Sequence, residues 1–289
     1  MDVTLADVVA LALRAASFTA VLQAAGVPLF VALCGAELRR SKQPLATFTS
    51  RVTSAGFALV LAEQLIGAAR LAGSFGGVFD ASLQTMLLQS SVGTASAVRL
   101  AGLALLLTRL RVSGRAAAAL GTVGVAAVVA SFTLMGHTTS HEPRWALAAL
   151  LALHLCVIAF WFGALVPLRI VVAAEESAVA AVIVKRFSRV AAWLVPLILV
   201  AGVLLAALLL PGLSSIGTPF GLALVAKLVG FVVLLGFGAA NYRLLGPRLA
   251  SGGAPAALAL RRSVAAEWLM IVAVLMITAV LTGLLSPAD

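Results

Sequence analysis

All three histidines of this chain fall between positions 137 and 154, in the run Gly136-His137-Thr-Thr-Ser-His141-Glu-Pro and then at His154. Neutral imidazole is a metal ligand, and Met135, two residues before His137, offers a thioether of the kind that favours Cu(I). His137 and His141 are spaced i, i+4, which would put both rings on one side of a helical turn. The bland alternative is a loop with two solvated histidines, because two imidazoles alone do not specify a metal. His154 differs in kind. If a helix starts near Pro143, His154 lies roughly 15 Å along it at 1.5 Å per residue.

The other informative residues are charges set in apolar runs: Arg14, Glu63, Arg99, Lys227 and Glu267. A charge at the centre of a bilayer costs at least ~2.5–3.5 kcal/mol, so each should face the interior of a helix bundle or a wet cavity. They can line a path for an ion, or simply be paired charges that hold helices together. Glu63 is expected to pair with Lys227 first and with Arg14 second. Arg99 and Glu267 are expected to pair with each other.

The elements that must position these residues follow from composition. Of 289 residues, 63% are hydrophobic and 10% charged. A soluble domain is about half apolar and a quarter charged, so lipid must cover the remainder. A spanning helix needs roughly 20 apolar residues. Runs of that kind occur at 5–34, 52–73, 83–108, 115–137, 144–168, 188–210, 217–242 and 263–285. Backbone groups in lipid must be paired within their own segment, so these runs are helical. Alternating barrel strands are not in evidence. The expected fold is all-α, a polytopic integral membrane bundle of about eight helices forming a single transmembrane domain over 1–289. The segment 171–187 is expected to lie as a short helix at the interface. The segment 246–257, with two prolines and two glycines, is expected to be a loop.

Basic residues set the orientation. Arg39, Arg40, Lys42 and Arg51 follow the first span, and Arg109, Arg111 and Arg115 follow the third. Arg169, Lys185, Arg186 and Arg189 follow the fifth, and Arg243, Arg248, Arg261 and Arg262 follow the seventh. The opposite loops, 74–82, 138–143 and 211–216, carry none. The positive-inside rule makes the basic side cytoplasmic and both termini periplasmic. The net charge of +10 is thus a topology signal, and no nucleic-acid partner is expected. The N-terminus lacks a basic n-region and reads as an uncleaved first span. Cys34 closes that span and Cys156 lies mid-span, so no disulfide and no CxxC site is expected. The signatures HExxH, P-loop and GxSxG are missing, which argues against an enzyme. No internal repeat is evident.

Several of these positions, taken in order, resemble the copper resistance protein D family (CopD) of bacterial inner membranes. They are Gly136-His137, then His154 with Trp161-Phe-Gly163-Ala-Leu165, and Arg186-Phe187-Ser188-Arg189. They continue with Lys227, Asn241-Tyr-Arg243 with Pro247, and Leu260-Arg261-Arg262-Ser263-Val264 with Glu267. The similarity is strongest over 130–285 and looser before. Ala164 stands where a second glycine is frequent in the family. The resemblance implies a copper ion as the species handled, and passage from periplasm to cytoplasm. It also implies a small periplasmic copper-binding partner (CopC-like). It makes His137 and His154 candidate ligands, and Lys227, Asn241 and Glu267 family polar positions. The periplasmic segments are poor in Met and His, which argues against a high-capacity copper store.

Three functions are therefore expected to compete. The first is a copper transporter that captures the ion at Met135, His137 and His141. It would pass the ion to His154 and then along Glu63, Lys227 and Asn241. The second is a haem or copper redox protein of the membrane. The third is an assembly factor that delivers copper without transporting it. In each case membrane lipids surround the chain.

Overall fold

The computed structural model describes residues 4–135, 143–209 and 216–285, so His137 and His141 lie outside the described residues. Among the described residues there is no strand, and eight helices are long and apolar enough to cross a membrane. The crossing helices are α1 (Leu5–Cys34), α2 (Lys42–Ala72), α4 (Ser91–Arg109), α5 (Gly114–Thr133), α6 (Arg144–Ala174), α7 (Ser177–Leu209), α8 (Pro219–Ala240) and α10 (Ala254–Gly283). Two short helices join them: α3 (Ala81–Gln89) and α9 (Gly246–Ala250). A 3-10 turn covers Phe75–Phe79 and a π turn covers Asn241–Leu245.

Three of the expected elements are redrawn. The run at 83–108 is two helices, because Ser90 adopts extended backbone and its hydroxyl accepts from the amides of Val92 and Gly93 to start α4. Asp80 does the same for α3, accepting from Ser82 and Leu83. Helix α3 buries none of its residues, so it sits outside the bundle although its hydropathy continues that of α4. The expected interface helix over 171–187 does not form separately. Its residues end α6 and begin α7, because Ala180, Ile183, Val184 and Phe187 make a buried stripe at i, i+3, i+4, i+7. Of the expected loop 246–257, residues 246–250 stay helical. The chain turns at Gly252 and Gly253, whose φ values of 88° and 111° suit residues without Cβ.

Helix α1 is the centre of the bundle: its residues 20–28 are buried without a break. It crosses α6 with Gly26 against Gly163. A Cβ on Gly26 would fall 1.8 Å from the Ala159 carbonyl oxygen. Pro167 lacks an N–H and so frees the carbonyl four residues earlier, that of Gly163. Gln23 fills the vacancy: its Nε2 donates to Gly163 O at 2.9 Å and to Phe162 O at 3.3 Å. Trp268 of α10 donates to Gln23 Oε1 at 2.9 Å, so one buried amide ties three helices together.

The start of α1 and the end of α10 lie at one end of the bundle. Arg70, in the last turn of α2, binds Asp7 at 2.9 Å near the start of α1 and the Gly283 carbonyl at the end of α10. The opposite, basic end is held by Glu175, between α6 and α7. It accepts from the amides of Arg39 (2.8 Å) and Ser41 (2.9 Å) and from the Ser41 hydroxyl (2.6 Å). Partial burial raises the Glu175 carboxyl, but these hydrogen bonds outweigh it and hold the group down at about 2 against an ordinary 4.5. A carboxylate with a depressed folded value stabilises fully above its unfolded value and loses that contribution as pH falls through the folded one. The tie should therefore be complete at neutral pH and weaken between pH 4.5 and 2. Amide exchange at Arg39 and Ser41 should accelerate in that window, and E175Q should abolish this pH dependence. Exchange unchanged down to pH 2 would show that the carboxylate does not hold this turn.

Candidate functional site

The polar residues of the spans form two groups, one in each half of the bundle. In the C-terminal half they follow one stripe of α6. His154 and Trp161 are seven residues apart, two helical turns, and so share a face. His154 Nδ1 lies 3.2 Å from the Ile198 carbonyl oxygen on α7. A carbonyl can only accept, so Nδ1 carries the hydrogen, and in the neutral ring Nε2 then keeps its lone pair. Gly202, one turn beyond Ile198, leaves room for the ring: a Cβ there would stand 3.4 Å from Cε1. Lys227 of α8 lies near enough to act on His154 electrostatically. No hydrogen bond or ion pair to Lys227 occurs among the described residues.

Two turns further, Trp161 reaches Glu267 of α10, which is 2% exposed. Glu267 Oε1 accepts from Trp161 Nε1 at 2.5 Å, and Oε2 accepts from Asn241 Nδ2 at 2.8 Å. Asn241 opens the π turn, a widening of the helix that recurs at functional sites. Its Oδ1 is buried and has no donor among the described residues. Glu267, Asn241 and Trp161 line a cavity of about 300 Å³ that continues toward the basic end.

The N-terminal half holds Arg14, Glu63 and Arg99. Glu63 Oε1 pairs with Arg14 Nε at 3.1 Å, so the expected first choice, Lys227, is replaced by the second. Arg14 also donates to the Thr282 carbonyl at 3.0 Å, closing the end of α10. Arg99 does not meet Glu267. It is 3% exposed, donates through Nε to Ser131 Oγ at 3.0 Å, and stacks its Cζ 4.0 Å over the Phe132 ring. Arg99 and Glu267 belong to different helix clusters, which spacing along the chain does not reveal. Glu63 is thus the carboxylate that balances Arg14, with Arg99 also within its electrostatic reach. Removing one member of a buried pair costs about 3–5 kcal/mol. E63Q should fall near the lower bound, because both partners keep 18% side-chain exposure. The check is a clear drop in thermal midpoint in detergent, partly restored in E63Q/R14Q. An E63Q protein that melts like the parent would remove this pair from the stability of the fold.

Residues 5–144 match the family model described as copper resistance protein D-like, N-terminal domain, and residues 181–281 match the one described as copper resistance protein D. The chain belongs to the copper resistance protein D family. No curated protein and no solved structure matches it. Membership carries a role in copper handling, and with eight apolar helices it makes the chain a multi-pass membrane protein. In this copper resistance protein D homologue, Arg14, Glu63, Arg99, Met135, His137 and His141 fall in the first match, and Lys227, Asn241 and Glu267 in the second. His154 and Trp161 lie on the helix between them.

Met135 is half-buried in the turn that ends α5. Among the described residues no three His, Cys, Asp or Glu side chains converge on one point. Cys34 and Cys156 are free thiols. The described donors are therefore set apart along the bundle and not gathered in one cage: His154 Nε2, and the Glu267 carboxylate with Asn241 Oδ1. Sequence reasoning missed Gln23 and Trp268. A proline four residues after Gly163 was the available signal for a freed carbonyl in need of a donor.

Proposed function

We propose that this protein carries copper across the bacterial inner membrane, from periplasm to cytoplasm, along the α6 stripe. The basic end is cytoplasmic by the positive-inside bias. Met135, His137 and His141 receive the ion at the opposite end, from a small periplasmic copper-binding protein of the CopC-like kind. His154 is the next ligand, and Glu267 with Asn241 the deepest.

The observation that carries this reading is the His154–Ile198 contact. Metal-ligating histidines characteristically donate their other ring nitrogen to a carbonyl or carboxylate, which fixes the tautomer and aims the lone pair. Here the Ile198 carbonyl takes Nδ1 and leaves Nε2 for the ion. The copper ion is cargo, and a soft or borderline ion suits imidazole better than carboxylate. Lys227 opposes a bare cation near His154. Copper therefore passes as a species whose ligands offset that charge, or the ammonium turns aside as it passes.

The test is uptake into sealed vesicles containing the purified protein, with copper outside on the face that bears the termini. Copper should accumulate inside, faster than in empty vesicles. An absorbance spectrum of the same preparation should lack the intense Soret band of haem. Binding without uptake would make the protein a delivery factor. A Soret band would make it a redox protein with His154 as axial ligand.

A further inference from the structure

The cavity above Glu267 and Asn241 has a second chemical character at the basic end. Three guanidiniums line it: Arg169 from α6, Arg243 from the π turn and Arg261 from α10. None of them forms an ion pair among the described residues, whereas Arg40 and Arg186 at the same end do. The Nε atoms of Arg169 and Arg261 are buried and have no acceptor. Buried donors are almost always satisfied, so these two define a place for oxygen atoms from outside the chain. The described residues do not supply them. Glu267 is the one carboxylate in the lining, and Trp161 and Asn241 already occupy it. Apart from Ser188 and Tyr242, the remaining wall is hydrocarbon, including Leu165, Leu168, Val172, Phe187 and Val195.

We propose that this cavity binds the phosphate of an anionic phospholipid. Arg169, Arg243 and Arg261 hold the phosphate oxygens, and an acyl chain lies along the apolar wall. A guanidinium presents paired N–H groups that match phosphate oxygens two at a time. Basic pockets between spanning helices on the cytoplasmic side receive anionic headgroups for this reason. A free phosphate ion would satisfy the arginines but leave the hydrocarbon wall wet, whereas a phospholipid covers both. A zwitterionic lipid would bring its own cation against three others.

The experiment uses the purified full-length protein in detergent, titrated with phosphatidylglycerol, phosphatidylcholine or inorganic phosphate. Bound lipid is counted by native mass spectrometry and the thermal midpoint is followed in parallel. Phosphatidylglycerol should bind and raise the midpoint, and millimolar phosphate should not displace it. R169Q/R261Q should bind it at least tenfold more weakly, R169K/R261K less weakly than that, and R115Q, at the start of α5, like the parent. Should the glutamine pair fail to fold, R243Q carries the test, because its side chain is exposed and outside the packing. R243Q must then weaken phosphatidylglycerol severalfold. Equal binding by the parent and the variants overturns the proposal, as does phosphatidylcholine binding equal to phosphatidylglycerol. Displacement by millimolar phosphate overturns it too and assigns the arginines to a soluble oxyanion.

Discussion

His154→Ala should abolish copper transit while leaving the protein folded and able to bind copper at its outer face. The ring sits about 15 Å along α6 from Arg144, deep within the span. Its contribution to folding is small: one hydrogen bond between spanning helices averages about 0.6 kcal/mol, so the thermal midpoint should barely move. Its contribution to transit is large. Losing only the partner that orients a ligand lowers metal affinity about 10–100-fold, and losing the ligand itself should reach at least the upper figure. The measurement is initial uptake in vesicles at fixed protein orientation, alongside copper stoichiometry by metal analysis. His137→Ala should show the complementary pattern, with lower stoichiometry or affinity at the surface. If His154→Ala moves copper at the parental rate, the imidazole is helix glue and the α6 path is wrong.

Gly163→Leu should prevent the bundle from assembling. A Cβ at this position would meet Gly26 Cα at 2.3 Å, and all three nearest atoms are Gly26 backbone, so no side chain can step aside. The helices must separate. Overpacking alone costs about 1–3 kcal/mol. Separation also pulls Gln23 away from the carbonyls of Phe162 and Gly163, and each buried group left unsatisfied costs about 1–3 kcal/mol more. Those losses add at one crossing and approach the whole stability of an ordinary domain. Gly163→Leu should yield little detergent-stable protein, Gly163→Ala should already lower the midpoint, and Gly236→Ala, with open space around its Cβ, should be neutral. A Gly163→Leu protein that melts with the parent would show that the α1–α6 contact is looser than described.

The sequence by itself determined that the chain is a helical membrane bundle, and which end of it is basic. Both follow from sums over many residues: apolar runs long enough to span, and basic residues confined to alternate loops. Two of the helix boundaries it placed wrongly, within 83–108 and over 171–187, depend on single side chains competing with a continuous hydropathy signal. At Ser90 a hydroxyl cap interrupts an apolar run, and at Ala180–Phe187 a buried stripe draws a weakly polar segment into the bundle. The polar residues were legible as a set, because a charge in an apolar run is conspicuous wherever the fold puts it. Their partners were decided only by the tertiary structure. Glu63 turned to Arg14 and not Lys227, Arg99 to Ser131 and Phe132, and Glu267 to Trp161 and Asn241. Depth along a helix can be counted in residues at a known rise. The face a residue presents to its neighbours depends on how the helices are rotated and ordered around α1, and that is set by close contacts such as Gly26 on Gly163.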